Sequence, residues 1–362
     1  MSWNFGKAIE FLPRYRALWE ELHSGVDRHI LLDYEFVERL VRYFGSEQTL
    51  CGVCDSRGTR GIVLIERVRT GIWQTFQPSQ APIGLILLAS QGDSVPALRA
   101  LIRRLPGWAV SVGVMQQDPA WTTLDGVDRS EFVERIAYMP TPRLSVPPDF
   151  NAYWKARSRN LTHNLSRQRR RISEQGGRLQ LVVERAPEEV VRAVREYGDL
   201  ESRGWKAREG TALSVDNAQG RFYADVLREF AARREAVVYR LTMGDRTLAI
   251  DLGAERNGML VLLKTTHDES LEGLSPGLLL HEEILRSVSV EQAVRTIEFY
   301  GRTREWHRKL TDDVREMFHL NVSRFAWLGR LHRYARDLRA RRIARDVGGH
   351  GTLSDKPDTV TR

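Results

Sequence analysis

The sequence predicts an α+β protein of two similar units in tandem, each a mostly antiparallel sheet flanked by helices, with a basic helix at the C-terminus. One observation behind this is the stretch 236–303. It reads as strands at 236–242, 247–253 and 259–266, then a helix at 278–288 and a fourth strand at 295–300. Gly244-Asp245 and Asn257-Gly258 join the first three, and both steps tolerate the positive φ of two-residue hairpin turns. A second observation is that the first half runs in the same order. It has strands at 49–54, 62–68 and 71–76, a loop at 77–82, apolar 83–88, a helix at 95–105 and a strand at 108–115. A third is length, since 362 residues suit about two domains.

The remaining elements fit around these. Helical patterns at 5–22 and 34–44 open the chain. Pro140-Thr141-Pro142-Arg143 and Val146-Pro147-Pro148-Asp149 read as a break, which divides the chain into 1–145, 146–325 and a tail, 326–362. Asp149 suits the cap of a helix carrying Tyr153, Trp154, Leu161, Leu165 and Ile172 on one face. Helices at 187–202 and 217–233 precede the second meander. From Trp327 to about 346, Leu328, Leu331, Ala335 and Leu338 oppose Arg330, Arg333, Arg336, Arg339 and Arg342. Such a helix reads as a plain terminal helix or as a weak membrane-surface or partner contact. Residues 347–362 are rich in Gly, Asp and Thr and are expected to be disordered.

Composition narrows the partners. A net charge of +8 favours an anionic one: a nucleotide-bearing cofactor, an acidic glycan or lipid surface, or nucleic acid. The start of the chain lacks the apolar core of a secretory peptide, and the longest apolar run, near 82–89, is too short to span a bilayer. A cytoplasmic protein is expected. Cys51 and Cys54 form a lone C-x-x-C on a strand, where residues three apart face opposite ways. They read as buried thiols, and no metal is expected. The arginines near Arg157–Arg171 come without aromatic interleaving or a helix-turn-helix, RRM or zinc signature, so they read as a solvated face or a wall facing an anionic substrate.

Ser275-Pro276-Gly277 opens the helix of the second unit. Serine suits the N-cap, proline the first helical position, and glycine a close approach of another molecule to the backbone. The features fit a pyrophosphate cradle as well as an ordinary capped helix. No G-x-x-x-x-G-K-S/T or strand-following G-x-G-x-x-G is present.

Trp154, the arginines between 157 and 171, Glu201-x-x-Gly204-Trp205-Lys206 and the unit 236–300 together resemble a GNAT-type acyltransferase. The nearest branch is the domain of CelD-like polysaccharide-biosynthesis proteins, akin to FemAB-like transferases. The resemblance spans about 150–306 and extends loosely to a degenerate first unit. It implies a tandem GNAT fold and an N-acyltransferase that moves an acyl group from acetyl-CoA or another acyl-CoA to an amine. That amine belongs to a small molecule or glycan, on a sugar or on a polysaccharide or envelope precursor. Backbone near Leu263, Lys264 and Thr265 would pair with pantetheine, and Ser275, Pro276, Gly277 and Leu278 would receive the pyrophosphate. One departure stands out. Members commonly follow the last strand with a Gly-Asp-x-x-Tyr-Lys-like element, whereas Gly301 here is followed by Arg302, then Trp306 and Lys309.

Transfer needs a neutral amine, a polarised carbonyl and a proton for the leaving thiolate. Alternation puts Glu298 and Tyr300 on one face of their strand, opposite Ile297 and Phe299. They read as base and thiolate-protonating acid, or as ordinary outer-face positions. Asp251, set among Leu248, Ala249, Ile250 and Leu252, is a base or a hydrogen-bonded structural acid. His267 and Asp268 lie near the expected cleft. Glu201, Arg203, Trp205 and Lys206 recognise an acceptor or form a helix-end ion pair beside a core tryptophan, and Trp306 with Lys309 shape the acceptor side. Two rivals are kept. One is FemAB-like aminoacyl transfer from charged tRNA, the one reading that gives nucleic acid a part. The other is a non-catalytic GNAT-fold protein of a polysaccharide assembly system.

Overall fold

A computed structural model describes residues 2–330 apart from 57, 91, 123, 205–212 and 215. In the first half, strands β1 (Trp3–Lys7), β2 (Leu50–Ser56), β3 (Thr59–Arg69), β4 (Ile72–Thr75), β5 (Ile86–Ser90), β6 (Ser111–Gln117) and β7 (Val133–Ser145) are joined by helices α1 (Ala8–Arg14), α2 (Arg16–Ser24), α3 (Tyr34–Phe44) and α4 (Val95–Arg104). Helices α5 (Phe150–Lys155) and α6 (Arg159–Glu174) lead into β8 (Leu179–Glu184). Helices α7 (Pro187–Glu201) and α8 (Ala218–Ala232) precede the meander β9 (Ala236–Met243), β10 (Arg246–Arg256) and β11 (Met259–His267). Then come α9 (Pro276–Glu291), β12 (Thr296–Glu298), α10 (Glu305–Leu310) and β13 (Val314–Ser323).

Local chemistry sets the hairpins. Met243 pairs with Arg246 across Gly244 (φ 58), and Arg256 pairs with Met259 across Asn257 (φ 52) and Gly258 (φ 79). The strands join in one sheet, ordered β1-β2-β3-β4-β6-β13-β7-β12-β11-β10-β9-β8, with β5 on β3. The two halves share a plan: β4 and β6 pair in parallel across α4, as β11 and β12 do across α9. Each parallel pair is then flanked by a strand of the other half. β13 runs antiparallel to β6, and β7 runs antiparallel to β12. Strand Val314–Ser323, grouped above with the second unit, thus lies between β6 and β7 of the first.

Several local expectations are corrected. Residues 5–7 are strand rather than helix, because Trp3–Lys7 pairs with Cys54–Leu50. The helix after Asp149 is broken at Ala156–Ser158. Asp149 caps its first part and Ser158 its second, each through its side chain. Pro140 and Pro142 do not mark a break, since they lie inside β7. Arg143 N–H points to β13, bonding Asp313 O, while Pro140 O faces the other way and accepts from Thr303 N–H. The missing N–H groups of both prolines therefore fall on the side that no strand occupies until Arg143 meets β12.

Cys51 and Cys54 are buried on opposite faces of the sheet, in different apolar clusters. One cluster gathers helices from both halves against the sheet, with Phe222 of α8 5.4 Å from Phe36 of α3 and 5.3 Å from Phe44. Among the described residues, no helix is long and apolar enough to cross a membrane. The shared sheet and shared core predict cooperative unfolding of the two halves. Phe222→Ala should cost about 3–5 kcal/mol, and urea unfolding followed by both tryptophan fluorescence and circular dichroism should keep a single transition.

Candidate active site

The site begins where two strands part. β11 and β12 pair only from Met259–Val261 to Thr296–Glu298. Beyond Val261, β11 runs on to His267 while the other chain turns off at Tyr300, whose φ is 42. The register with β10 jumps from Gly253–Leu262 to Leu252–Lys264, which makes Leu263 a bulge at the fork.

Helix α9 starts beside this gap. Ser275 does not cap it as expected: it sits in the left-handed region (φ 54, ψ 51) and its side chain makes no cap hydrogen bond. The first helical bond comes from Leu279 N–H to Ser275 O at 3.1 Å, so the Gly277 and Leu278 amides belong to the turn with no partner inside the helix. A Cβ on Gly277 would find its nearest neighbour, His267 Nδ1, 3.8 Å away. This backbone is therefore open to the gap, and it carries the positive end of the helix dipole. The cavity so formed has a volume of about 670 Å³.

Two buried ionisable groups share its wall. His281 of α9 brings Nε2 to 2.9 Å from Asp251 Oδ2 on β10, out of line for a good hydrogen bond. The His281 ring lies flat on Trp306 (centroids 4.8 Å, 10°), and Trp306 lies on His307 (3.6 Å, 25°). His307 Nδ1 accepts from Arg304 N–H at 3.0 Å. Burial, with His281 and Arg304 nearby, pushes the His307 pKa down to about 4, so the ring is neutral at pH 7 with its hydrogen on Nε2. On the opposite wall the Tyr197 hydroxyl lies 3.1 Å from Glu201 Oε1 and 3.0 Å from Thr265 O. Glu201 Oε2 accepts from Leu213 N–H at 2.7 Å.

The cavity brings together Asp251, Glu201, Leu263, Lys264, Thr265, Ser275, Pro276, Gly277, Leu278 and Trp306 of the residues expected from sequence, with His267 beside them. It also borders Tyr300, but not the other described ones. Lys309 pairs with Glu305 at 3.3 Å, and Arg203 is exposed away from the wall. Asp268 caps the turn Glu269–Leu274 and holds Arg246 at 2.6 Å. Trp205 and Lys206 fall outside the described residues. Sequence reasoning missed His281 and His307. His281 had a readable signal: it lies four residues after Gly277, on the same helix face.

A parallel strand pair that forks beside an open helix start is the arrangement that the resemblance to GNAT-type acyltransferases implies. Residues 159–308 match the family described as Acetyltransferase (GNAT) domain. Over these residues the chain thus contains a GNAT-type acetyltransferase domain. Two solved structures share its architecture. L-PGS from Bacillus licheniformis is 12% identical with a TM-score of 0.50, over 84% of this chain and 91% of that one. The C-terminal domain of a putative lysylphosphatidylglycerol synthetase from Agrobacterium fabrum is 11% identical with a TM-score of 0.51, over 86% and 94%. At these identities the likeness concerns fold alone. No curated protein sequence matches the chain.

Glu298 and Tyr300 share a face as alternation implied, and both are buried rather than exposed. Glu298 is absent from the cavity wall, and Arg315 lies 2.8 Å from Glu298 Oε2 and 2.6 Å from Asp118 Oδ2. Tyr300 borders the cavity, while its hydroxyl donates to Asp118 Oδ2 at 2.9 Å and lies 2.8 Å from His29 Nε2. Both residues thus belong to a buried network that joins the halves. Burial lifts the Glu298 pKa to about 7, against the pull of Arg315 and with a push from Asp118. The unfolded carboxyl loses its proton near its ordinary value and the folded one only near 7. The folded state thus holds more protons in between, and this group's contribution to stability falls as pH rises through that window. Glu298→Gln cannot titrate, so its Tm relative to the parent should climb between pH 5 and pH 8 in paired thermal melts.

Proposed function

We propose that the cavity binds an acyl-CoA thioester and passes its acyl group to an amine, with acetyl-CoA as the simplest donor. One observation carries the reading: the edge of β11 that runs on past β12 and the open amides of Gly277 and Leu278 bound one continuous gap. Edge peptide groups at Leu263–Thr265 suit the amides of a pantetheine arm, and the helix start suits a diphosphate. The amine nitrogen attacks the thioester carbonyl, the C–S bond breaks, and CoA leaves as the thiol. Asp251, steered by His281, takes the proton from the attacking amine, and its return to the departing sulfur completes the thiol. Trp306 and Glu201 flank the place of the acceptor, and the resemblance to CelD-like proteins favours an amino sugar or envelope precursor there.

A second reading, transfer of an aminoacyl group from tRNA, draws on the likeness to lysylphosphatidylglycerol synthetase structures across both halves and on the net charge of +8.

Calorimetry with acetyl-CoA and longer acyl-CoAs separates the readings. Acyl-CoA should bind the parent and not Gly277→Trp. Asp251→Asn should still bind it, with turnover on a panel of amino sugars lowered about 10²–10⁴-fold. If no acyl-CoA binds at millimolar concentration while lysyl-tRNA supports transfer, the donor assignment fails in favour of the second reading. Binding with no turnover on any amine leaves a non-catalytic module.

A further inference from the structure

Apart from the cavity, aromatic side chains gather where β13 ends and the loop before β6 begins. Trp108, Phe325 and Trp327 are 64%, 37% and 61% exposed. Their rings form one continuous patch, with Trp108 6.0 Å from Phe325 and Phe325 6.2 Å from Trp327. Among the described residues these are the exposed tryptophans; the others are buried or half-buried. Water contact on so much indole is unfavourable, and contiguous exposed apolar area marks an interaction surface.

The backbone holds the patch outward. Gly107 (φ 71) and Trp108 (φ 53) are both left-handed, a conformation that a bulky side chain rarely adopts. Arg324 clamps the loop by donating from Nε to Ala109 O at 2.5 Å and from a terminal nitrogen to Ile102 O at 3.0 Å, with its guanidinium 5.3 Å from the Trp108 ring. Arginines surround the patch. Arg99 lies over the Phe132 ring at 3.6 Å, Arg103 is beside it, and Arg330 reaches Glu131 at 2.8 Å while remaining 70% exposed. The sequence then continues with Arg333, Arg336, Arg339, Arg341, Arg342 and Arg345.

We propose that this face docks on the headgroup region of an anionic phospholipid bilayer. Indole and phenyl rings partition to the depth where an apolar body meets polar headgroups, and arginines pair with lipid phosphates. Charge complementarity chooses this occupant over a second copy of the chain, because a symmetric contact would set one arginine rim against the other. Ring spacing disfavours single-stranded nucleic acid, since rings about 6 Å apart leave no slot for a base to stack between them. Docking here is independent of the acyl donor.

Vesicle flotation of the full chain tests the proposal, comparing phosphatidylcholine alone with an equal mixture of phosphatidylcholine and phosphatidylglycerol. The partition coefficient should be more than about tenfold higher on the anionic vesicles and should fall with added salt. The triple variant Trp108→Ala, Phe325→Ala, Trp327→Ala should lose about tenfold or more, and Arg99→Glu with Arg103→Glu about fivefold for each charge removed. Thermal melts matching the parent exclude misfolding of these surface variants. Four results overturn the proposal. They are equal partition onto both vesicles, anionic binding that the aromatic variant leaves intact, preferential binding of single-stranded RNA lost in the same variants, and a concentration-dependent dimer abolished by them.

Discussion

Hydrogen bonding between β11 and β12 lasts from Met259–Val261 to Thr296–Glu298 and then stops, and the candidate site exists because it stops. A buried peptide group without a partner costs free energy comparable to a lost hydrogen bond. A strand that outruns its neighbour must therefore face water, side chains or a ligand. β11 outruns β12 by the segment from Leu262 to His267, bulged at Leu263, and the helix that returns the chain to β12 starts at the mouth of the opening. Edge peptides, helix-start amides and the Asp251–His281 pair share one cavity for this reason. None is positioned by a local motif alone.

The first half makes the same fork and closes it. β4 and β6 pair in parallel only from Ile72–Gln74 to Ser111–Gly113, but the chain then folds back into the opening. Gly84 N–H bonds Gln116 O at 2.9 Å, and Ala81, Ile83 and Leu85 are buried there. The fit is tight enough that a Cβ on Gly84 would fall 2.0 Å from Met115 O, and the residual void beside Ile83 and Gly84 is about 10 Å³. The difference between the forks lies in one loop. Where 77–85 fills the first, the chain after β11 turns away through Glu269–Leu274 and leaves the second open.

This explains what was legible beforehand. The hairpins at Gly244 and Asn257-Gly258 and the helix behind Pro276 depend on neighbours a few residues away, so local rules find them. β7 and β13 were missed because their partners lie far off in sequence: Met317 pairs with Met139, and Leu320 with Val114. The prolines that signalled a break are compatible with a strand only because one side of β7 is free where they sit. In the same way, alternation placed Glu298 and Tyr300 together, yet which side of the sheet the first half would cover is a tertiary fact. His281 was visible by its spacing from Gly277, but its partner Asp251 comes from a strand thirty residues earlier.

Tyr300 connects the two clusters. The residue borders the cavity and its hydroxyl is held by His29 and Asp118 of the first half. Burial drives the His29 pKa down to about 3, so its ring is neutral at pH 7. Asp118 is pushed up by burial but pulled below the usual carboxylate range by Arg315, so it stays charged and accepts the tyrosine proton's hydrogen bond. The charge on Asp118 is in turn compensated by a residue of β13, the strand that the second half contributes to the first half's sheet. The wall of the open gap is therefore set by groups from a unit whose own gap is filled. A lone second half would leave the Tyr300 hydroxyl without Asp118 and His29, and Arg315 without Asp118, which is a physical reason for the two copies to remain joined in one chain.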